Sequence, residues 1–236
     1  MFPITIIIFG MLGILGAFIY AVGDVFLLAG KARLENYPKL QPYAKILSGA
    51  ERMVALPHWR LLWGGLLGVF ATPLVLMGFT ELLPLPLGGD YVLMLPPFIL
   101  FSVAAMIAPF VHGSFIYLGE YVQALNKVSS DSQPVIVEML ERHRKIMVIS
   151  YAFLFACIGI ASIWFSVVVG LEKTYLPVWM AGVNPITMFI AWMLIKRILP
   201  RFVKDRTEGA GFNIAYMLFF TFMTLTFLPQ TRTFVL

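Results

Sequence analysis

Six runs of apolar residues alternate with short polar connections along this chain. A bilayer's hydrocarbon layer, ~30 Å thick, needs roughly 20 mostly apolar helical residues to cross it. By that measure spans are predicted from Ile4 to about Ala29, Trp59 to about Leu83, and Tyr91 to about Val122. Three more run from about Ile146 to Gly170, Leu176 to Leu199, and Phe212 to Leu228. The third exceeds a perpendicular crossing, so it is expected to tilt or to protrude as helix beyond the bilayer. No second hydrophilic block interrupts the pattern. The expected architecture is all-α: a polytopic membrane protein with six transmembrane helices in one bundle, a single domain over residues 1–236.

The polar connections give the orientation. The first holds Lys31, Arg33, Lys39, Lys45, Arg52 and Arg60, the third Lys127, Arg142, Arg144 and Lys145, and the fifth Lys196, Arg197, Arg201, Lys204 and Arg206. Fifteen of the 17 Lys and Arg therefore fall on one side, with Lys173 and Arg232 on the other. Such a split predicts that the rich side is cytoplasmic and both termini are extracytoplasmic, in a multi-pass cell-membrane protein. The first span lacks a basic segment before it and a small-residue cleavage site after it, and reads as a retained anchor. Short amphipathic helices are expected in the cytoplasmic connections. One lies around Tyr43 to Ala55; another starts after Ser129-Ser130-Asp131-Ser132 at Pro134 and runs into the fourth span.

Composition narrows the classes further. Hydrophobic residues make up 60% of the chain and charged ones 12%, with a mean hydropathy of +0.89. A water-soluble domain of this size has too little interior to hide that much apolar surface. The net charge of +5 lies in the connections, where phospholipid headgroups account for it, so no nucleic-acid partner is expected. Cys157 is the one cysteine, which excludes an intrachain disulfide and a thiolate metal site. The zinc HExxH pair, the GxSxG elbow, the phosphate-binding GxxxxGK[ST] loop and the dinucleotide fingerprint are absent. His58, His112 and His143 do not offer paired deep imidazoles for a haem. No cofactor and no metal are expected.

Close helix packing in lipid is marked by small residues. Gly10, Gly13, Gly16 and Ala17 line the first span, and Gly64, Gly68 and Thr72 the second. Ala105, Ala108, Gly113 and Gly119 line the third. These stripes predict tight nesting of the first three helices, and they also offer faces for a homo-oligomer.

Ionisable side chains at membrane depth cost several kcal/mol unless they face protein or water. Asp24, His112 and Glu120 stand out on that ground. Asp24 continues the Gly16–Tyr20 face of the first helix, roughly 8 Å inside its cytoplasmic end. His112 shares its face with Phe101, Ala105, Ala108, Ile116 and Gly119. Cross-helix pairing of Asp24 with His112 is therefore expected. Glu120, two turns beyond His112 and nearer the headgroups, is a weaker catalytic candidate. Tyr20, Tyr117, Tyr151, Asn213, Tyr216 and Trp59 are the expected pocket-lining residues. Asn184, just before Pro185, is expected to bond backbone freed by a proline kink. Asn184 apart, the outer half reads as almost wholly apolar, so the expected cavity opens only toward the cytoplasm.

A carboxylate, an imidazole and phenols inside a lipid-embedded pocket suit acid–base work on a hydrophobic molecule. The expected function is an integral membrane enzyme acting on a lipid or isoprenoid-type substrate that enters laterally. Two alternatives stay open. One is a small proton-coupled transporter or channel, with Asp24 and His112 as the coupling pair. The other is an accessory or assembly subunit, whose polar cluster would be filled by side-chain pairs.

Overall fold

A computed structural model describes residues 2–29, 32–83 and 90–232 of the chain. Eight α-helices carry the described fold: α1 (Phe2–Leu28), α2 (Ala44–Leu47), α3 (His58–Phe79), α4 (Tyr91–Lys127), α5 (Gln133–Gly170), α6 (Pro185–Ile198), α7 (Arg201–Arg206) and α8 (Gly211–Arg232). Single 3-10 turns fill several of the connections. Five helices among the described residues are long and apolar enough to cross a membrane: Ile4–Leu28, His58–Leu82, Tyr91–Lys127, Ser130–Gly170 and Gly211–Leu228. Each turns bulky apolar side chains outward. On α1 these are Ile4, Ile8, Met11, Leu15 and Phe18, spaced at a helical period on one exposed face suited to lipid.

The remaining predicted span, Leu176 to Leu199, is not one helix. A 3-10 turn at Val178–Gly182 precedes α6, which has 14 residues. Pro185 opens α6 instead of kinking a longer helix, because a proline at the first position sacrifices no intrahelical bond. The Asn184 side chain accepts from the Ile186 and Thr187 amides at 3.0 and 3.1 Å, and the Thr187 hydroxyl accepts in return from the Asn184 amide. Asn184 Nδ2 also donates to Ser166 Oγ at 3.0 Å, which fastens the start of α6 to α5.

α1 packs between α3 and α8, α3 also meets α4, α4 lies along α5, and α6 leans on α8. The small-residue stripes are taken up inside the chain, where Gly13 sits against Gly78 and Gly64 against Leu27. Gly113 has no neighbour there. The second neighbour of α1 is α8, which the stripes did not foretell.

α4 and α5, of 37 and 38 residues, would each extend ~55 Å and outrun a bilayer. α5 starts at the predicted polar cluster and runs on into the fourth span without a break. The projecting ends meet the first connection and bury Leu40, Leu47, Met53, Val122, Leu125 and Leu140 in a second apolar cluster. Polar clamps hold that connection down. Gln123 Nε2 donates to the Met53 and Leu56 carbonyls at 3.1 and 2.8 Å, and Arg144 reaches the Lys45 carbonyl at 3.1 Å. The helix expected over Tyr43 to Ala55 is broken in two. Ser48 (φ 40°) and Gly49 (φ 97°) adopt the left-handed conformation, which ends α2 and redirects the chain into the turn Ala50–Met53.

Candidate functional site

Asp24 and His112 come together. Asp24 Oδ1 lies 3.8 Å from His112 Nδ1, with the residues 6% and 8% exposed. The other carboxylate oxygen accepts from Asn213 Nδ2 at 2.6 Å, a strong bond from α8 that fixes the carboxyl's rotation. With Oδ2 held, Oδ1 is the oxygen turned to the imidazole. His112 Nδ1 has no hydrogen-bond partner among the described residues, and 3.8 Å is too long for a direct bond. Nδ1 is thus a buried polar atom beside a carboxyl oxygen that it does not reach, and both are left able to bond a third group from the cavity side.

The imidazole is there because α3 leaves space for it. A Cβ on Gly68 would fall 2.2 Å from the His112 ring, so only glycine fits at that point of the α3–α4 crossing. Above the ring lies Tyr20, at a centroid distance of 4.7 Å. Tyr20 and Thr72 hydroxyls are 2.5 Å apart, and Thr72 Oγ1 is 3.2 Å from the Gly68 carbonyl. Thr72 has one proton, which its own helix's carbonyl takes, so Tyr20 is the donor to Thr72.

Asp24, His112, Tyr20 and Asn213 form the polar end of a cavity of about 390 Å³. Its walls are mainly apolar, with Val75, Ala104, Ala105, Ala108, Leu154 and Ile158 among them. Tyr151, Asn213 and Tyr216 also stand in its wall. At the end near the Lys/Arg-rich connections it is bounded by Lys196, Thr207, Glu208 and Gly209.

Glu120, Tyr117 and Trp59 are not brought into the cavity. Glu120 lies on an exposed flank of α4, 3.8 Å from His58 Nδ1. Eight helical positions past His112 carry it about 80° around the axis, away from the seam. Tyr117 faces outward, edge-on to the ring of His143, and Trp59 packs edge-on against Phe26. His143 stands on α5, its Nε2 2.9 Å from the Ser114 carbonyl, between Tyr117 and Tyr121.

Four residues escaped the sequence reading. Thr72, read only as a small residue, is the acceptor for Tyr20. Trp192 lines the cavity with a buried indole Nε1 that has no partner among the described residues. Lys196, counted only as a loop charge, extends along the cavity boundary. Glu81 is the largest omission, because it overturns the wholly apolar outer half. It is 1% exposed at the far end of the bundle, and Thr224 donates to its Oε1 at 2.9 Å, while Oε2 is unpartnered among the described residues. The signal was present, since Glu81 falls inside the second predicted span.

Five apolar helices long enough to cross a bilayer, packed into one all-α bundle, define a polytopic membrane protein. The chain belongs to a family of unknown function (DUF6796), whose family model matches residues 1–230. No match was found among curated proteins or among solved structures.

Proposed function

We propose that the protein is a membrane enzyme that performs acid–base chemistry on a hydrophobic lipid or isoprenoid-type molecule. The observation that carries the reading is the buried Asp24–His112 gap of 3.8 Å at the polar end of an apolar cavity. Asp24 serves as the acid, oriented by Asn213, and His112 as its partner or as the base. Mainly apolar walls lower the polarity around the reacting pair, which strengthens the electrostatic interactions within it. A volume of about 390 Å³ fits a small ligand or one segment of a lipid chain. That volume also speaks against an accessory subunit whose polar cluster is filled by its own side chains.

The topology proposed with it has six crossings, counting Val178–Ile198 as a short interrupted one, in a single domain. The Lys/Arg-rich connections lie in the cytoplasm and both termini outside. Membrane lipid is the surrounding partner. The small-residue faces of α1 and α3 are occupied within the chain, so a homo-oligomer would have to use others.

The test is isotopic. Membranes containing the protein are incubated in deuterated water, and their lipid extract is compared by mass spectrometry with that from Asp24→Asn. The expected result is a lipid species isomerised or deuterated at carbon that falls at least ~100-fold in the variant. Identical extracts from a folded variant would overturn Asp24 as the acid. One observation favours the transporter reading: Glu81 places a second buried carboxyl on the same α1–α8 seam. Gly10, its neighbour on α1, is ~21 Å along the helix from Asp24. The buried rings of Phe79, Phe101, Phe219 and Phe220 pack together with centroids 5.1–6.0 Å apart, an apolar core that a proton path between the two carboxyls would have to pass. Solute-dependent proton flux in proteoliposomes would favour transport over catalysis.

A further inference from the structure

The cavity boundary carries a small electrostatic arrangement that the acid–base reading does not use. Glu208, on the connection between α7 and α8, sits between two cations from different parts of the fold. Its Oε1 lies 3.6 Å from an Arg52 guanidinium nitrogen and its Oε2 3.6 Å from Lys196 Nζ. Arg52 belongs to the turn Ala50–Met53, and Lys196 to the last turn of α6. The lysine side chain is only 18% exposed, whereas that of Glu208 is 48% exposed. The Arg52 side chain is 33% exposed, so the carboxylate is the most exposed of the three groups and the one with most room to swing into solvent. Both contacts are also ~0.8 Å longer than a good charge-assisted hydrogen bond, so the carboxylate spans the pair without satisfying either member.

On the far side of Arg52 is a second cleft, of about 540 Å³, with Arg60 and Arg206 in its wall. Asp205 is in that wall too, which disfavours an anion placed deep in the cleft and leaves the Arg52–Lys196 position as the better one. Arg60 is already engaged with the Val25 carbonyl at 3.1 Å and adds its charge from a fixed place.

We infer that Glu208 stands in for a phosphate group, and that Arg52 and Lys196 form an anion site at the cavity boundary for the phosphate end of an amphiphile. The amphiphile's apolar chain enters the cavity while the phosphate displaces Glu208. A guanidinium fork and an ammonium together suit a tetrahedral anion, which offers each cation an oxygen of its own and keeps a third for solvent. This inference rests on the proposed function only in seating an apolar chain in the cavity, and it needs no chemistry at Asp24.

Binding to the delipidated full chain in amphipol is to be measured for three probes: dodecyl phosphate, dodecanol and inorganic phosphate. Dodecyl phosphate is expected to bind at least ~10-fold more tightly than dodecanol. Arg52→Gln and Lys196→Gln should each weaken dodecyl phosphate about tenfold and leave dodecanol unchanged. Glu208→Gln should tighten it about threefold or more, a gain that misfolding cannot mimic. Equal affinity for dodecyl phosphate and dodecanol, or no gain in Glu208→Gln, would overturn the site. Inorganic phosphate that matches dodecyl phosphate, with the same Arg52 and Lys196 dependence, would support the anion site with free phosphate as its source. Binding of inorganic phosphate with no binding of dodecanol would leave the anion site standing and remove the cavity as a seat for apolar chains.

Discussion

Gly68 and His112 show how little room the buried pair has. The imidazole lies where a side chain on α3 would otherwise be, and a Cβ at residue 68 would meet it at 2.2 Å, against a ring and its Cβ, not the far end of a flexible side chain. Gly68→Ala should therefore lower stability by ~1–3 kcal/mol through overpacking, read as a drop in the thermal midpoint in detergent. An unchanged midpoint would mean that the ring is held elsewhere. Glu81 is expected to behave differently. Its fixed contact is the acceptor oxygen for Thr224, which an amide keeps, so Glu81→Gln should fold within about 1 kcal/mol of the parent. Glu81→Leu should cost more, since it removes the bond to Thr224 and leaves that hydroxyl only the Phe220 carbonyl, at 2.8 Å. Comparable losses in the two variants would show that the Thr224 bond is not what retains the residue.

At the scale of elements, the decisive local feature is the cap of α6. Asn184 and Thr187 satisfy one another's end of the helix, and Asn184 also holds Ser166 of α5. Asn184→Ala is expected to cost about 1 kcal/mol. It should also speed amide exchange at Ile186 and Thr187 before any other part of the bundle, which hydrogen–deuterium exchange with mass spectrometry can read. Uniform exchange would sink that assignment. The same residues explain why the predicted fifth span failed as a continuous helix. Hydropathy averages over side chains and does not register that Asn184-Pro185 is a start signal; the capping residues did carry that information, in polarity and position. The remaining long helices were legible because an uncharged run of 20 residues has few other solutions in lipid. The break at Ser48 and Gly49 was harder to see, as only the docking of that connection under α4 and α5 selects the left-handed conformation.

For the whole molecule, the testable statement is its orientation. Cys157 is buried, so a chain with that residue changed to serine provides a background for introducing single cysteines. Lys145→Cys should react with an impermeant maleimide only from the cytoplasmic side, and Lys173→Cys only from outside. The opposite pattern would overturn the proposed topology while leaving the helices in place. The projecting ends of α4 and α5 and the first connection they clamp make that side of the protein bulky. On the other side, among the described residues, Trp164 donates to the Leu93 carbonyl at 2.8 Å and the Asp90 amide to the Lys173 carbonyl at 3.0 Å, which tie the start of α4 to α5 and the turn after it.

Membrane residence, the run of each long helix and the segregation of basic residues are determined by the sequence alone. Each follows from a local property: apolar length against a fixed hydrocarbon thickness, or charge against headgroups. The individual suspects Asp24 and His112 were legible too, because an ionisable group at membrane depth is conspicuous on any helix. Which side chains they and Tyr20 would meet was not. Asn213 reaches Asp24 across 189 positions of chain, Thr72 meets Tyr20 across 52, and Glu120 is turned off the seam by its own helix rotation. Only the tertiary structure decided those pairings. In lipid the apolar faces of helices do not discriminate among partners, and the close fit of small residues together with a few buried polar bonds sets which helices touch and at what rotation.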